Sequence, residues 1–343
     1  MPQYNTLLLI ALLLIPTIPV LAEENSTLSV LLRLQTELVN VDGSGAKARG
    51  MDGWHITDGW AGGNKNRMNF GALFIHGEHP LTANLRAIGR FGLNINSEGL
   101  AAGDAQEREI YVGIAGDYGQ VVAGRLETPY KLAALGWDPL NGTAFQARGN
   151  VGRSGGPFGH GSYIDNAIGY SHRFGTAHVR VMAAIDDGST TTSDTPLWST
   201  SLTIPAGPVE LMISHIDASK FNDGPDKRVG TKLGARYSRD QWTVAGHYEI
   251  RGEGLEDGDF MYLNSSYRWQ DWSFMASYGR FSNSSGNGND GDYSAVAARY
   301  HLARHFMVHA GLRRIDHDIG GKENIFGAGM RIILDSGNLI TRK

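Results

Sequence analysis

The feature that most constrains this chain is a side-chain alternation of period two, repeated in stretches of about ten residues. In 209–214, for example, Val209, Leu211 and Ile213 alternate with Glu210 and a serine. Successive residues of a β-strand point to opposite faces of the sheet, so each stretch is expected to form a strand with one apolar and one polar face. The alternation therefore predicts an all-β chain.

The alternating stretches are separated by turn sequences, and together they predict sixteen strands. The predicted strands lie near 28–40, 65–78, 81–96, 107–117, 119–127, 162–173, 176–186, 197–204, 208–217, 229–239, 241–251, 258–269, 271–282, 291–303, 305–316 and 323–334. An even number of antiparallel strands returns both chain ends to the same side, as bacterial membrane barrels require. The fold class predicted is a transmembrane antiparallel β-barrel.

The connections between these strands alternate between short and long. His79-Pro80, Tyr118 and Gln270 are short connections, whereas 128–161 is the longest of the long ones. Short turns on one side and long loops on the other are typical of outer-membrane barrels, and nothing imposes this asymmetry on a soluble β-sandwich. Aromatic residues gather on the apolar faces beside the short turns, as expected for a girdle at a membrane interface. They are Phe174, Tyr237, Trp242, Trp269, Trp272, Tyr300 and Phe306.

The first residues predict export. An apolar run at 7–15 is followed by Pro16 and Pro19, and then by a junction after Ala22 that has the form of a signal-peptide cleavage site. The run is too short to cross about 30 Å of hydrocarbon as a helix, although a retained anchor is the alternative interpretation. The predicted organisation is a signal peptide at 1–22 and a single barrel domain at 23–343, ending in a tail at 335–343.

Composition excludes several other classes. The chain has no Cys, so an exported protein of this size must fold without disulfides. A net charge of −4 argues against a nucleic-acid partner, which requires a basic face. No Gly-x-Ser-x-Gly elbow or phosphate-binding Gly loop occurs, and the His76–His79 cluster matches no zinc-protease spacing. We therefore predict no enzymatic activity, no cofactor and no bound metal.

Residues 111–119, YVGIAGDYG, continue into 122–125, VAGR, and then Thr128-Pro129-Tyr130. This stretch strongly resembles general bacterial porins of the proteobacterial type. Residues 67–78 and 326–331 resemble an early strand and the last strand of that family. One departure concerns the chain end: these porins typically end on an aromatic residue that the assembly machinery recognises, whereas here the chain continues from Leu334 through 335–343.

The resemblance implies a function and a site. It implies a homotrimeric channel for small hydrophilic solutes and ions, in contact with outer-membrane lipid and lipopolysaccharide. It also implies that the long third loop, 128–161, folds into the lumen and narrows it. Strand parity turns arginines of the early strands toward the same lumen, and arginine suits this position because its charge is permanent and its geometry is planar. The predicted constriction comprises Arg33, Arg67, Arg86, Arg90 and Arg125, with Glu127 and Asp138 on the loop.

Two other functions remain open at this stage. A substrate-specific channel, such as a sugar porin, would carry a line of aromatic residues on the lumen parity, where Tyr111 and Tyr262 are isolated. An outer-membrane barrel enzyme would need an activated Ser–His pair, and no spacing singles one out. Because the predicted loop is poor in acidic residues, a weak anion preference is expected for a general pore.

Overall fold

The computed structural model describes residues 26–59, 70–95, 97, 107–147, 163–184, 196–218, 229–252, 258–283 and 290–341. The predicted signal peptide, Arg67 and the second part of the long loop, 148–161, lie outside these residues. Two short helices, α1 (Ser44–Ala48) and α2 (Pro129–Leu135), occur in the described part of the chain. Neither is long and apolar enough to cross a membrane.

The rest of the described secondary structure is β. The strands are β1 (Thr27–Asp42), β2 (Gly53–Thr57), β3 (Ala72–Thr82), β4 (Leu85–Asn94), β5 (Glu107–Gly116), β6 (Gly119–Leu126), β7 (Ile164–Phe174), β8 (Ala177–Ala184), β9 (Leu197–Ala206), β10 (Val209–Asp217), β11 (Val229–Arg239), β12 (Trp242–Gly252), β13 (Gly258–Trp269), β14 (Trp272–Asn283), β15 (Gly291–Ala303), β16 (Phe306–His317) and β17 (Gly321–Thr341).

These strands form one closed antiparallel sheet. From β3 to β17 each strand pairs with the next, and β17 pairs with β1 from Thr27↔Thr341 to Asp42↔Asn324. β2 and β3 both pair with the same edge of β1, β2 with residues 37–41 and β3 with residues 27–33, so they share one position in the wall. The seventeen strands therefore occupy sixteen positions, which confirms the predicted sixteen-strand barrel.

Side chains of the wall fall into an inner and an outer row. The outer row is apolar and exposed, as at Val112 and Leu263, which are 70% and 52% exposed. The inner row is largely buried and mixes polar or charged side chains, as at Ser199 and Glu249, with apolar ones, as at Phe260 and Met275. Among the aromatic residues beside the short turns, Trp269 is more than half exposed, as expected for the predicted girdle. The period-two alternation in the sequence thus corresponds to a barrel wall whose side chains point alternately inward and outward.

Several boundaries differ from the sequence-based expectation, and two of these differences change a turn and the chain end. The turn predicted at His79-Pro80 lies instead at Ala83-Asn84, because β3 continues to Thr82. Pro80 fits within a strand here because the β3–β4 register shifts just after it, and proline, which has no N–H, is tolerated at such bulges. At the other end, most of the residues expected to form a tail after Leu334 instead extend β17 to Thr341, paired with β1.

Candidate functional site

The residues that follow β6 carry an unusual density of buried polar contacts, and we call 127–147 the anchored segment. Thr128 caps the start of helix α2, because its hydroxyl accepts a hydrogen bond from the Lys131 amide at 3.2 Å, and Pro129 occupies the first helical position. Both are favoured helix-start residues because they satisfy or remove orphan N–H groups. Tyr130, Leu140 and Phe145 are completely buried.

Basic side chains from the inner row bind the backbone of the anchored segment. Four of them, on β11, β15, β16 and β17, donate hydrogen bonds to its carbonyl oxygens. The pairs are Lys232 to Tyr130 at 3.4 Å, Arg299 to Pro139 at 3.2 Å, Arg331 to Asn141 at 3.3 Å and Arg313 to Ala144 at 2.9 Å. A loop of irregular backbone needs such partners when it is buried, and here charged donors, the stronger kind, supply them.

An acidic residue of β1 accepts a hydrogen bond from a backbone amide of the same segment. Glu37 accepts a hydrogen bond from the Ala144 amide at 2.9 Å through Oε2, and its Oε1 lies 2.6 Å from Nε2 of His309 on β16. The side chains of both residues are essentially inaccessible. The adjacent Phe145 carbonyl accepts a hydrogen bond from the Tyr293 hydroxyl at 2.5 Å. Side chains from both ends of the chain therefore converge on residues 144 and 145.

Asp138 organises the turn that follows α2. Its carboxylate accepts hydrogen bonds from the Leu140 amide at 2.9 Å, the Ala147 amide at 3.3 Å and the Tyr262 hydroxyl at 2.8 Å. Burial raises the pKa of Asp138 above its usual range, and these hydrogen bonds counteract the rise only in part. The residue is therefore a buried internal support and contributes no exposed charge.

A second group of side chains surrounds one phenyl ring on β3. The guanidinium carbons of Arg90, Arg33 and Arg108 lie 4.2, 5.0 and 5.7 Å from the centre of the Phe74 ring. Guanidinium groups stack favourably on aromatic faces, so the ring holds the three cations close together. We call these four residues the Phe74 cluster.

Backbone irregularities determine which arginines join this cluster. The β4–β5 register skips between Phe91↔Ile110 and Leu93↔Glu107, so two residues of β5, Arg108 and Glu109, lie opposite one residue of β4. Such a bulge changes the direction of a side chain, and it brings Arg108 toward Phe74 although simple alternation assigns it to the outer row. Sequence reasoning missed Arg108 because it assumed unbroken alternation.

The other predicted site residues lie elsewhere. Arg86 is half exposed and pairs with Glu78 at 3.1 Å. Arg125 lies where the β6–β7 register shifts between Gly124 and Leu126. It binds Asp165 through both carboxylate oxygens at 2.7 Å, and its guanidinium carbon lies 5.4 Å from the centre of the Tyr163 ring.

Glu127 is nearly buried and pairs with Lys131 one helical turn later. Of the seven predicted residues, Arg33 and Arg90 contact the same ring, and Asp138 and Glu127 belong to the anchored segment. Arg86 and Arg125 pair with acidic residues of the wall, and Arg67 lies outside the described residues. The four cations that bind loop carbonyls were also missed. The only sign of these cations in the sequence is a basic residue at an inward-facing position of a late strand, as at Arg313.

Comparisons with known proteins agree on the class of barrel. A family model described as "Gram-negative porin" matches residues 9–320. A comparison with curated protein sequences found no match. Among solved structures, an anion-selective porin from Comamonas acidovorans is similar with a TM-score of 0.74 and 16% identity, over 90% of this chain and 100% of that one.

Two further solved structures show the same fold. The trimer form of OmpT from Vibrio cholerae, an outer-membrane protein, has a TM-score of 0.64 and 13% identity, over 90% of this chain and all of that one. OmpF of Salmonella typhi in complex with daunomycin has a TM-score of 0.63 and 11% identity, over 91% and 100% of the two chains. At these identities the likeness concerns the fold alone.

Proposed function

Because this chain belongs to the Gram-negative porin family, we propose that it is a general diffusion channel for small hydrophilic solutes and ions. It is a multi-strand barrel of the outer membrane, and membership in the family makes it a channel protein. The observation that carries the proposal is the division of the wall into an exposed apolar outer row and an inner row that holds buried charged side chains such as Lys232, Glu249 and Arg313. A barrel of sixteen strands has room for water inside it, and no catalytic group is needed for diffusion.

We assign the constriction of this channel to the anchored segment. Its support is the set of hydrogen bonds from β1, β11, β13, β15, β16 and β17, which approach the segment from strands far around the wall. A loop on the outer surface would meet only its neighbouring strands. Held by partners on so many strands, the segment would narrow the lumen at a fixed height.

The ion preference follows from which charges remain beside the open part of the lumen. Lys232, Arg299, Arg313 and Arg331 are engaged with loop carbonyls, and Asp138 is buried. The cations of the Phe74 cluster, together with Arg86, would then dominate the field beside the constriction, while Glu127 is paired with Lys131. A cationic ring favours anions, so we propose a weak anion preference. One structurally similar porin is described as anion-selective.

The surroundings of the channel are proposed on similar grounds. The apolar outer row fits outer-membrane lipid, including lipopolysaccharide in the outer leaflet. A homotrimer is proposed because a solved neighbour is described in its trimer form. Chemical cross-linking of the purified protein, followed by mass measurement, tests the assembly: a uniform population of monomers in several detergents would contradict it.

Planar-bilayer recording of the purified protein tests the function. We expect stable conductance steps in potassium chloride and, in a tenfold salt gradient, a reversal potential whose sign indicates excess chloride flow. Deleting most of the anchored segment should raise single-channel conductance. Absence of conductance from correctly folded protein would refute the channel, and unchanged conductance after the deletion would refute the constriction.

A further inference from the structure

We propose that Arg49, which follows helix α1 in the connection between β1 and β2, positions the constriction through Glu323 and Arg313. This inference rests on the proposed function, in which the anchored segment is the constriction. It adds to the supports of that segment a residue from a different connection, joined to it by two consecutive ion pairs and one hydrogen bond.

Glu323, on β17, joins the two arginines. Its Oε1 pairs with Nη2 of Arg313 on β16, and its Oε2 pairs with Nη2 of Arg49. The second arm of the Arg313 fork, Nη1, donates a hydrogen bond to the Ala144 carbonyl at 2.9 Å. Nε of Arg49 donates to the Gly45 carbonyl at 3.1 Å, which ties the arginine to α1. We call Arg49, Glu323 and Arg313 the Arg49 relay.

The Arg49 relay runs from solvent into the protein interior. The side chain of Arg49 is 46% exposed, that of Glu323 is 3% exposed and that of Arg313 is inaccessible. A buried arginine depends on its ion-pair partner, and its planar fork points where its partners direct it. Because Glu323 is held at both oxygens, Arg49 helps to fix the carboxylate that orients Arg313. The orientation of Arg313 in turn determines where the Ala144 carbonyl is held.

Helix α1 has a fixed position from which Arg49 can act, because it packs closely against the turn that joins β16 and β17. The Ser44 hydroxyl accepts a hydrogen bond from the Lys322 amide at 3.0 Å. A Cβ on Gly45 would lie 2.4 Å from the Gly320 carbonyl oxygen, so glycine permits this approach. Ala46 is completely buried in an apolar cluster that also contains residues of the anchored segment.

Two basic residues of this connection provide matched variants. Arg49→Gln removes the exposed end of the Arg49 relay, and Lys47→Gln removes the same charge two residues away. Lys47 is 63% exposed and pairs with Asp42 at the surface, at 3.2 Å. An effect of surface charge alone therefore appears in both variants, whereas an effect through Glu323 appears only in Arg49→Gln. Arg49→Lys keeps the charge and one donor for Glu323, so it should behave nearly as the wild type.

The first measurement is hydrogen–deuterium exchange of the peptide covering 138–147, read by mass spectrometry. Arg49→Gln should exchange about threefold faster than the wild type, within the range that an ion pair open to solvent contributes. Lys47→Gln should match the wild type, and Arg49→Lys should stay within about twofold of it. Peptides from β11–β13 should exchange at unchanged rates in all three variants, because the loss is confined to the anchored segment.

A double variant tests whether Arg49 acts through Arg313. Arg313→Gln removes the charged donor to the Ala144 carbonyl, so exchange of the 138–147 peptide should rise about tenfold. Adding Arg49→Gln to it should change exchange less than about 1.5-fold, because the Arg49 relay is already interrupted. If Arg313→Gln does not fold, Arg313→Lys, which keeps the buried charge and lacks the fork, takes its place. Effects that multiply in the double variant would overturn the proposal.

Single-channel recording connects the Arg49 relay to conduction. Arg49→Gln should show more open-channel noise than Lys47→Gln, while the mean conductances of the two variants agree. Wild-type exchange in Arg49→Gln, or equal acceleration in both glutamine variants, would overturn the proposal. Faster exchange confined to Arg49→Gln in a protein that does not conduct would support the Arg49 relay and refute the channel. Faster exchange without added noise would support the Arg49 relay and refute the assignment of the constriction.

Discussion

Glu37 is the residue whose removal should most directly loosen the anchored segment. It accepts hydrogen bonds from the Ala144 amide and, in one tautomer, from Nε2 of His309, and all of these groups are buried. Glu37→Ala removes both acceptors at once and leaves two buried donors unsatisfied. Each such loss costs about 1–3 kcal/mol, so a total near 3 kcal/mol is expected. Since 1.4 kcal/mol is a factor of ten, the detached population of residues 143–146 should increase about 100-fold.

Hydrogen–deuterium exchange read by mass spectrometry measures that population. Exchange of the Ala144 amide requires release of its hydrogen bond, so in Glu37→Ala the peptide covering 138–147 should exchange about 100-fold faster than in the wild type. Peptides from β11–β13 should exchange at unchanged rates. With the anchored segment as the proposed constriction, its fluctuation should also make the open-channel current noisier.

Glu37→Gln is the matched control. Its carbonyl oxygen can still accept from Ala144, and its amide can donate to His309 in the other tautomer, since Nδ1 of that ring has no partner and can carry the proton. Exchange in this variant should stay within about tenfold of the wild type. An exchange rate in Glu37→Ala within threefold of the wild-type rate would refute the anchoring role. Equal acceleration of exchange in both variants would show that the negative charge of Glu37, and not its acceptor atoms, holds the segment.

Three further outcomes are expected. Neutralising Arg33 and Arg90 together should shift the reversal potential toward cations in 0.1 M salt and less in 1 M, where the Debye length falls from about 10 to 3 Å; an unchanged low-salt value would remove both from the constriction. Val244→Arg should reduce the yield of folded barrel, because a charge between the membrane interface and its midplane costs roughly 1–2 kcal/mol, whereas Thr243→Arg on the inner row should be tolerated; equal yields would refute the assignment of faces. Burial raises the pKa of Asp138, so its contribution to stability is present below its unfolded pKa of about 4 and is lost as pH rises through the higher folded pKa. The thermal midpoint of the wild type minus that of Asp138→Asn should therefore be larger at pH 4 than at pH 7, and a difference that does not change with pH would contradict this.

The barrel could be predicted because its strands and turns follow patterns between residues that are close in the sequence. Alternation at period two gives the strands, and the short turns give their pairing, since an antiparallel neighbour is also the next segment of the chain. The strands from β11 to β16 lie within about two residues of their expected limits. The turn after β3 lies four residues beyond its expected position at His79-Pro80, because a bulge accommodates Pro80 within the strand.

The site was less predictable because it depends on contacts that are distant in the sequence and on irregular backbone. A single extra residue in β5 brings Arg108 into the Phe74 cluster, and alternation gives no warning of it. Arg331 and Asn141 are 190 residues apart, so nothing in the sequence indicates that the cation binds a loop carbonyl. The closeness of Arg33 and Arg90 agrees with the alternation, which places both side chains on the inner face of the two strands that flank β3.

Because the first and last strands pair, the position of the chain ends around the barrel could be changed. Thr27 and Thr341 are partners in the β1–β17 ladder, so the two ends of the described chain are neighbours. Bringing ends about 300 residues apart together costs roughly 5 kcal/mol of chain entropy, and the long β1–β17 ladder offsets this cost when the wall closes. A short peptide joining the two ends would make this connection covalent, and new ends could be cut at the Gly175-Thr176 turn. The barrel is therefore suited to circular permutation. The order of strands around the wall would be preserved, and only the strand pair that closes the barrel last would change.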